Sequence, residues 1–293
     1  MMKSIMDTRR LVTFVLLGLM LVGSLVVAGC GNSNQDAGNN TGNGDAAGEG
    51  LSGTLTIAGS TSVQPFSEVL ADKFMEAHPG VQVNIQGGGS SQGVTAAISG
   101  AADIGSASRN LKDEEKAENL VETVLAYDGI ALVVHPSNQV GALTKDEVKN
   151  IYLGNITNWK EVGGADAKIS VVCREAGSGT RGAFEEIVMG DDDISNHVII
   201  QNSNGAVRTT VESDSNSIGF ISLSIVNDQV KAVNIDEVTP SVENVKNGSY
   251  KISRPFLYIT KTNPEGLSKA FIEFALSDEG QAIVVEEGAI SSK

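Results

Sequence analysis

Over residues 51–293 short runs rich in β-branched residues alternate with stretches of helical periodicity. That regular change of period confines the chain to an α/β fold, with helices packed on sheets. Residues 54–58, 81–86, 168–173, 198–201, 217–222 and 231–235 read as strands. Phe66, Val69, Leu70, Phe74 and Ala77 fall on one helical face, which His78-Pro79-Gly80 ends. Ala183, Phe184, Ile187 and Val188 form a second such face, and Leu267, Phe271, Phe274 and Ala275 a third; all three are core stripes. The alternation predicts largely parallel strands. Two longer extended segments, 123–135 and 254–261, interrupt it and suit a pair of crossings between two lobes. On that reading lobe one holds 51–130 and 254–293 and lobe two holds 131–253, a division that the length of the chain allows.

Three loops rich in Gly, Ser and Thr each lie between a predicted strand and a predicted helix. They are Gly59-Ser60-Thr61-Ser62, Gly87-Gly88-Gly89-Ser90-Ser91-Gln92-Gly93 and Arg174-Glu175-Ala176-Gly177-Ser178-Gly179-Thr180-Arg181. In open α/β sheets the loops at the carboxyl ends of strands converge on one crevice. Helix N-termini there offer unpaired N–H groups and a positive dipole end, which suits an oxyanion. Glycine admits close approach of the backbone, and hydroxyls add donors with little bulk. Any one such loop is an ordinary helix cap. Three of them, with Arg174 at the end of a predicted strand, point to a bound anion. A guanidinium gives an oxyanion two parallel N–H bonds that lysine cannot reproduce, although Arg174 could instead pair with a neighbouring acid.

Ahead of this region Lys3, Arg9 and Arg10 precede an uncharged, mostly apolar run over 11–29, the layout of an export signal. The run ends in Val27-Ala28-Gly29-Cys30, which resembles the bacterial lipobox, where Cys30 becomes the lipidated first residue. A retained membrane anchor and plain secretion are the alternatives, and all three place the later residues outside the cytoplasm. Residues 30–50 comprise that cysteine and a Gly- and Asn-rich linker without aromatic or branched aliphatic residues, a coil of roughly 25 Å typical span. Loss of residues 1–29 removes Lys3, Arg9 and Arg10 against one acid, Asp7, and takes the formal charge from −15 to −17. So acidic a chain is a poor partner for nucleic acid or anionic lipid headgroups. With Cys30 lipidated only Cys173 stays a thiol, so no intrachain disulfide is expected, and cysteine and histidine are too few for a structural zinc site.

Several segments occur in order along the mature chain: Ala58-Gly59-Ser60-Thr61-Ser62-Val63-Gln64-Pro65, Gly89-Ser90-Ser91-Gln92-Gly93, Ala102-Asp103-Ile104-Gly105, Ile151-Tyr152-Leu153-Gly154 followed by Trp159, and the 174–180 loop. Together with the Cys30 motif they resemble the phosphate-binding proteins of Pst-type phosphate ABC transporters. The resemblance implies a two-lobed type II periplasmic binding protein fold, each lobe a mixed sheet flanked by helices, the two joined by hinge segments. It implies a monomeric, lipid-anchored carrier that captures inorganic phosphate outside the cytoplasm and delivers it to membrane permease subunits, with no catalytic residue, metal or cofactor. Position by position it puts the phosphate donors on Thr61, Ser62, Ser90, Arg174, Ser178, Gly179 and Thr180. Family members carry an aspartate that accepts the proton of monohydrogen phosphate where this chain has Ser108, within Ser106-Ala107-Ser108-Arg109. A hydroxyl either donates or accepts. The departure therefore leaves selectivity against sulfate open, with Asp103 and Glu175 as other acceptors and Arg109 as a further cation.

Gly89-Ser90-Ser91-Gln92-Gly93 also satisfies G-x-S-x-G, the nucleophile turn of serine hydrolases. Such an enzyme needs an acid and then a histidine after the serine, which leaves His135, at the end of an apolar strand, and His197, after the acidic Asp191-Asp192-Asp193 loop. No Gly-Lys-Ser/Thr ending follows a glycine loop, which excludes a nucleotide P-loop. The acidic loop lacks the turn glycine and closing glutamate of an EF-hand. Within the binding class, a carrier for sulfate, molybdate or tungstate is the alternative.

Overall fold

The computed structural model describes residues 50–293, so the expected export signal, Cys30 and the linker up to Glu49 lie outside the described residues. The described chain opens with β1 (Ser52–Gly59), α1 (Gln64–Ala77), β2 (Gly80–Gly87), α2 (Ser90–Ser99), β3 (Ile104–Ala107), a short α3 (Asp113–Lys116) and the long β4 (Val121–Val134). There follow β5 (Ala142–Leu143), α4 (Lys145–Leu153), β6 (Ser170–Arg174), α5 (Gly179–Phe184), β7 (Ile199–Gln201), α6 (Asn204–Ser213) and β8 (Ser217–Ser222). The last part holds β9 (Lys231–Ala232), β10 (Asn234–Ile235), α7 (Val242–Lys246), β11 (Ser253–Thr260), α8 (Gly266–Ala275), α9 (Asp278–Glu286) and β12 (Ile290–Ser291).

Ten strands form one sheet in the order β2-β1-β3-β11-β4-β8-β6-β7, with β9 and β12 also paired to β4. Towards its edges the sheet is parallel, β1 with β2 and β3, and β6 with β7 and β8. Its middle is antiparallel, β11 with β3 and β4, and β4 with β8. The expectation of largely parallel strands is thus corrected at the centre. A crossover helix fixes strand direction only between the strands it joins, and neither β4 nor β11 reaches a sheet neighbour through one.

Two large apolar clusters flank this central pair. Leu55, Ile57, Phe66, Leu70, Phe74, Phe256 and Phe271 lie in one, and Leu132, Val134, Tyr152, Trp159, Phe184 and Phe220 in the other. β4 serves both, with Leu125 and Ala126 in the first and Ile130, Leu132 and Val134 in the second. α1 carries Pro65 in its first turn, where the missing N–H is no loss, and buries Phe66, Leu70 and Phe74. On the same face Ser67 Oγ shares a 2.8 Å hydrogen bond with Tyr258 Oη. α5 passes directly into a π-helical turn, Glu185–Met189, so the face read from Ala183 to Val188 keeps Val188 buried while Ile187 is half-exposed. Phe184 stacks on Phe220 with ring centroids 4.2 Å apart, and burying such a side chain contributes about 1.5–3 kcal/mol.

Candidate functional site

The three loops follow β1, β2 and β6 and are tied to one another through the backbone. Gly59 takes φ +138° and lies so close to β3 that a Cβ would stand 2.2 Å from the Ser106 carbonyl oxygen, a position only glycine fills. The amides of Gly88 and Gly89 donate to the Gly59 carbonyl at 2.8 and 2.9 Å, joining the second loop to the first. The Ser91 amide donates to the Gly177 carbonyl at 3.1 Å, joining it to the third. Ser178 caps α5, its Oγ accepting from the Arg181 amide at 3.2 Å.

Their hydroxyls converge. Ser62 Oγ lies 3.0 Å from Thr180 Oγ1, and Thr61 Oγ1 accepts from Asn204 Nδ2 at 3.2 Å. Ser90 Oγ accepts from the Ser108 amide at 3.0 Å and lies 3.5 Å from Ser108 Oγ. Gly179 sits against that pair: a Cβ there would come within 2.1 Å of Ser90 Oγ and 2.7 Å of Ser108 Oγ. Ser62, Ser90, Ser108, Arg174, Ser178 and Thr180 are each at most 2% exposed. Donors so far from bulk water act in a low dielectric, where bonds to a charged acceptor count for more.

Arg174 ends β6. Its Nε and Nη2 donate to Oε2 and Oε1 of Glu175, both at 2.8 Å, and Nη2 also reaches the Asn202 carbonyl at 3.5 Å. Nη1 is buried and has no hydrogen-bond partner among the described residues. The neighbouring acid considered as an alternative partner for Arg174 is therefore present, and Glu175 is committed to it.

Two charged residues from outside the loops complete the centre. Asp128 of β4 and Arg254 of β11 are register partners in the antiparallel pair. Arg254 donates to Asp128 Oδ2 through Nη2 at 3.0 Å and Nε at 3.4 Å. It also donates to Ser62 Oγ through Nη2 at 3.0 Å, and to the carbonyl and Oγ of Ser108 through Nη1, both at 3.2 Å. Asp128 Oδ2 accepts from Ser222 Oγ at 2.8 Å. Asn204 bridges the same region, donating to Ser62 Oγ at 2.8 Å and accepting from the Ser222 amide at 3.1 Å. Burial is the main influence on the pair: it pushes the Asp128 carboxyl up and the Arg254 guanidinium down, and each charge opposes the shift of the other.

Sequence reasoning missed Asp128, Asn204, Ser222 and Arg254. A signal existed for two of them: Asp128 is a lone acid inside the apolar part of β4, and Arg254 is the one charged residue of β11. Charges placed in such strands are rarely buried without a partner.

The remaining candidates lie elsewhere. Arg109 is held by Glu115 at 2.7 and 2.8 Å and by Ser91 Oγ at 3.1 Å. Asp103 Oδ2 accepts from the Thr56 amide at 2.7 Å, a bond that fastens β1. Ser90 Oγ has both of its hydrogen-bond partners on Ser108, whereas His135 Nδ1 bonds Ser137 Oγ at 2.7 Å and His197 is exposed. Neither histidine stands as a base beside Ser90. Cys173 is a buried free thiol that burial pushes up to about 11.

Residues 44–279 match the family model described as a PBP superfamily domain. The phosphate-binding protein PstS of Bacillus subtilis is 35% identical over 280 residues, covering 94% of this chain and 93% of its own. That of Borreliella burgdorferi is 30% identical over 251 residues, covering 82% and 90%. Among solved structures, a Clostridium perfringens protein assigned as a phosphate ABC transporter substrate-binding protein, with phosphate bound, is similar with a TM-score of 0.81 at 48% identity, over 82% of this chain and 100% of that one. An ABC-type phosphate transport receptor from Vibrio cholerae gives 0.70 at 39% identity, over 82% and 100%.

Proposed function

The chain belongs to the PBP superfamily, among the type II periplasmic binding proteins related to the phosphate-binding protein PstS, and on that premise we propose that it is an extracytoplasmic carrier of inorganic phosphate serving an ABC importer. The donors are Thr61, Ser62, Ser90, Ser108, Arg174, Ser178, Gly179 and Thr180. One observation carries the reading: segments following four strands, β1, β2, β3 and β6, bring hydroxyls together in pairs 3.0 and 3.5 Å apart in a buried centre beside Arg174, whose Nη1 has no hydrogen-bond partner among the described residues. A tetrahedral oxyanion fits that chemistry, because each of its oxygens accepts from O–H and N–H groups and the guanidinium supplies a charge-assisted bond.

Residues 51–130 with 254–293 form one lobe and 131–253 the other, with β4 and β11 as hinge segments. The division of β4 between the two apolar clusters supports this. The protein is held to the membrane through lipid on Cys30 and works as a monomer that docks on permease subunits. Thermal unfolding of the purified protein, freed of carried-over ligand, tests the reading against phosphate, sulfate, molybdate and tungstate. A ligand at about 100 times its Kd raises stability by about 2.7 kcal/mol. Phosphate is expected to give the largest shift; no shift with phosphate overturns the proposal.

A further inference from the structure

We propose that Arg254, anchored by Asp128, is a positioning residue that fixes Ser62 as a hydrogen-bond donor toward the bound oxyanion, takes one of the two acceptor sites of Ser108, and so governs which protonation state the site accepts. The inference rests on the phosphate-carrier reading above and concerns its selectivity. A serine oxygen has two lone pairs and one hydrogen. At Ser62 both lone pairs are engaged, by Arg254 Nη2 at 3.0 Å and Asn204 Nδ2 at 2.8 Å. Its hydrogen is left for Thr180 Oγ1, 3.0 Å away, or for a ligand oxygen. At Ser108, Arg254 Nη1 occupies a lone pair at 3.2 Å.

A guanidinium does not give up its proton in a protein, so this polarity cannot reverse as a neutral side chain's would. Nor can the group move away. Asp128 Oδ2 holds it at 3.0 and 3.4 Å and is itself held by Ser222 Oγ at 2.8 Å. Both ions are almost wholly buried, and separating them would strand a charge. The charges bearing on Arg254 are Asp128 on β4 and Arg174 at the end of β6, which is paired in turn with Glu175. Each arginine has its own carboxylate, so the preference arises from the direction of the bonds. Unprotonated ligand oxygens satisfy every one of these donors, whereas a ligand hydroxyl finds no lone pair on Ser62.

The test is calorimetric titration of the full chain with phosphate and, in competition, sulfate, on both sides of neutral pH. The double variant Arg254→Met/Asp128→Asn removes the guanidinium without stranding a carboxylate. It is expected to lose phosphate affinity, and to lose sulfate affinity by about a further tenfold, one charge-assisted hydrogen bond. Phosphate can use the freed lone pairs for its own proton and sulfate cannot. The phosphate-to-sulfate ratio therefore rises, and the dependence of phosphate affinity on pH flattens. Should the double variant fail to fold, Arg254→Lys decides on the same ratio, with a smaller rise expected. Parallel losses at a constant ratio make Arg254 a structural support and overturn the inference. Unchanged affinities do the same, as does a parent that binds phosphate yet resists competition by sulfate at any concentration. A parent that does not bind phosphate overturns the carrier reading instead.

Discussion

Gly179→Ala is the most direct test of how the site is assembled. A methyl at this position would meet Ser90 Oγ at 2.1 Å, Ser108 Oγ at 2.7 Å and Ser90 Cβ at 3.0 Å. Neither serine is free to turn aside, because Ser90 Oγ holds the Ser108 amide and Ser108 Oγ holds Arg254. Gly179 is not among the glycines with positive φ, so alanine suits its backbone, and at the start of α5 alanine gains up to about 1 kcal/mol of helix preference. The whole penalty falls on the approach of the third loop to the second. Overpacking of this kind costs about 1–3 kcal/mol, equivalent to roughly 5- to 150-fold in Kd. Calorimetric titration with phosphate is expected to show that loss, while on the hinge reading the loops separate when the lobes open and Tm without ligand stays close to the parent's. A Kd within twofold of the parent would refute the packing argument. A ligand-free Tm lowered by the full penalty, about 2–4 °C per kcal/mol for a domain of this size, would mean that the loops never separate, and the hinge reading would fall.

Arg174→Lys keeps the charge and loses the fork, so phosphate binding weakens by about 10- to 100-fold, the worth of one charge-assisted hydrogen bond, with the fold retained by circular dichroism; a Kd within twofold of the parent places Arg174 outside the site. Ser108→Asp puts an obligate acceptor where Ser108 Oγ now accepts from Arg254 Nη1 at 3.2 Å, so discrimination of phosphate against sulfate rises even where absolute affinity falls; sulfate competing equally with both proteins removes Ser108 from the anion's surroundings. Cys30→Ser leaves the chain unlipidated and moves it to the aqueous phase in detergent partitioning; partitioning equal to the parent's makes residues 11–29 a retained span.

What the sequence made visible was what is local. β1, β2, β7 and β8 were legible because β-branched residues cluster there, and α1 because one helical face is apolar throughout. β3 was not: Ile104-Gly105-Ser106-Ala107 has one β-branched residue, and it becomes a strand by pairing with β1 and β11 on either side. Residues 231–235 read as one strand but serve two sheets, β9 against β4 and β10 against β5, with Val233 between them. The three loops announced the site because glycines and hydroxyls before helices are short-range signals. Asp128 and Arg254 stand 126 positions apart and meet only through the register of β4 with β11. No spacing rule reaches that far. Ser108, whose role the sequence left open, meets the same long-range pair, and its oxygen accepts from Arg254.

That pairing also explains how a chain of formal charge −15 can hold an anion. The two arginines at the site are each matched by a carboxylate, Arg174 by Glu175 and Arg254 by Asp128, so the centre is formally neutral before any ligand arrives. Attraction cannot come from a surplus of positive charge. On the proposed reading it comes from oriented donors: Nη1 of Arg174, which has no hydrogen-bond partner among the described residues, the serine and threonine hydroxyls, and the first-turn amides of α2 and α5 other than those of Ser91 and Arg181, none of which depends on the field far from the cleft. Surface acids more than a Debye length away, about 8 Å at physiological salt, are screened from it. Association should then proceed without electrostatic steering, and the stopped-flow rate of phosphate capture should change little as salt rises. A rate that falls steeply with ionic strength would show an attractive field at the cleft mouth, which the matched ion pairs do not provide.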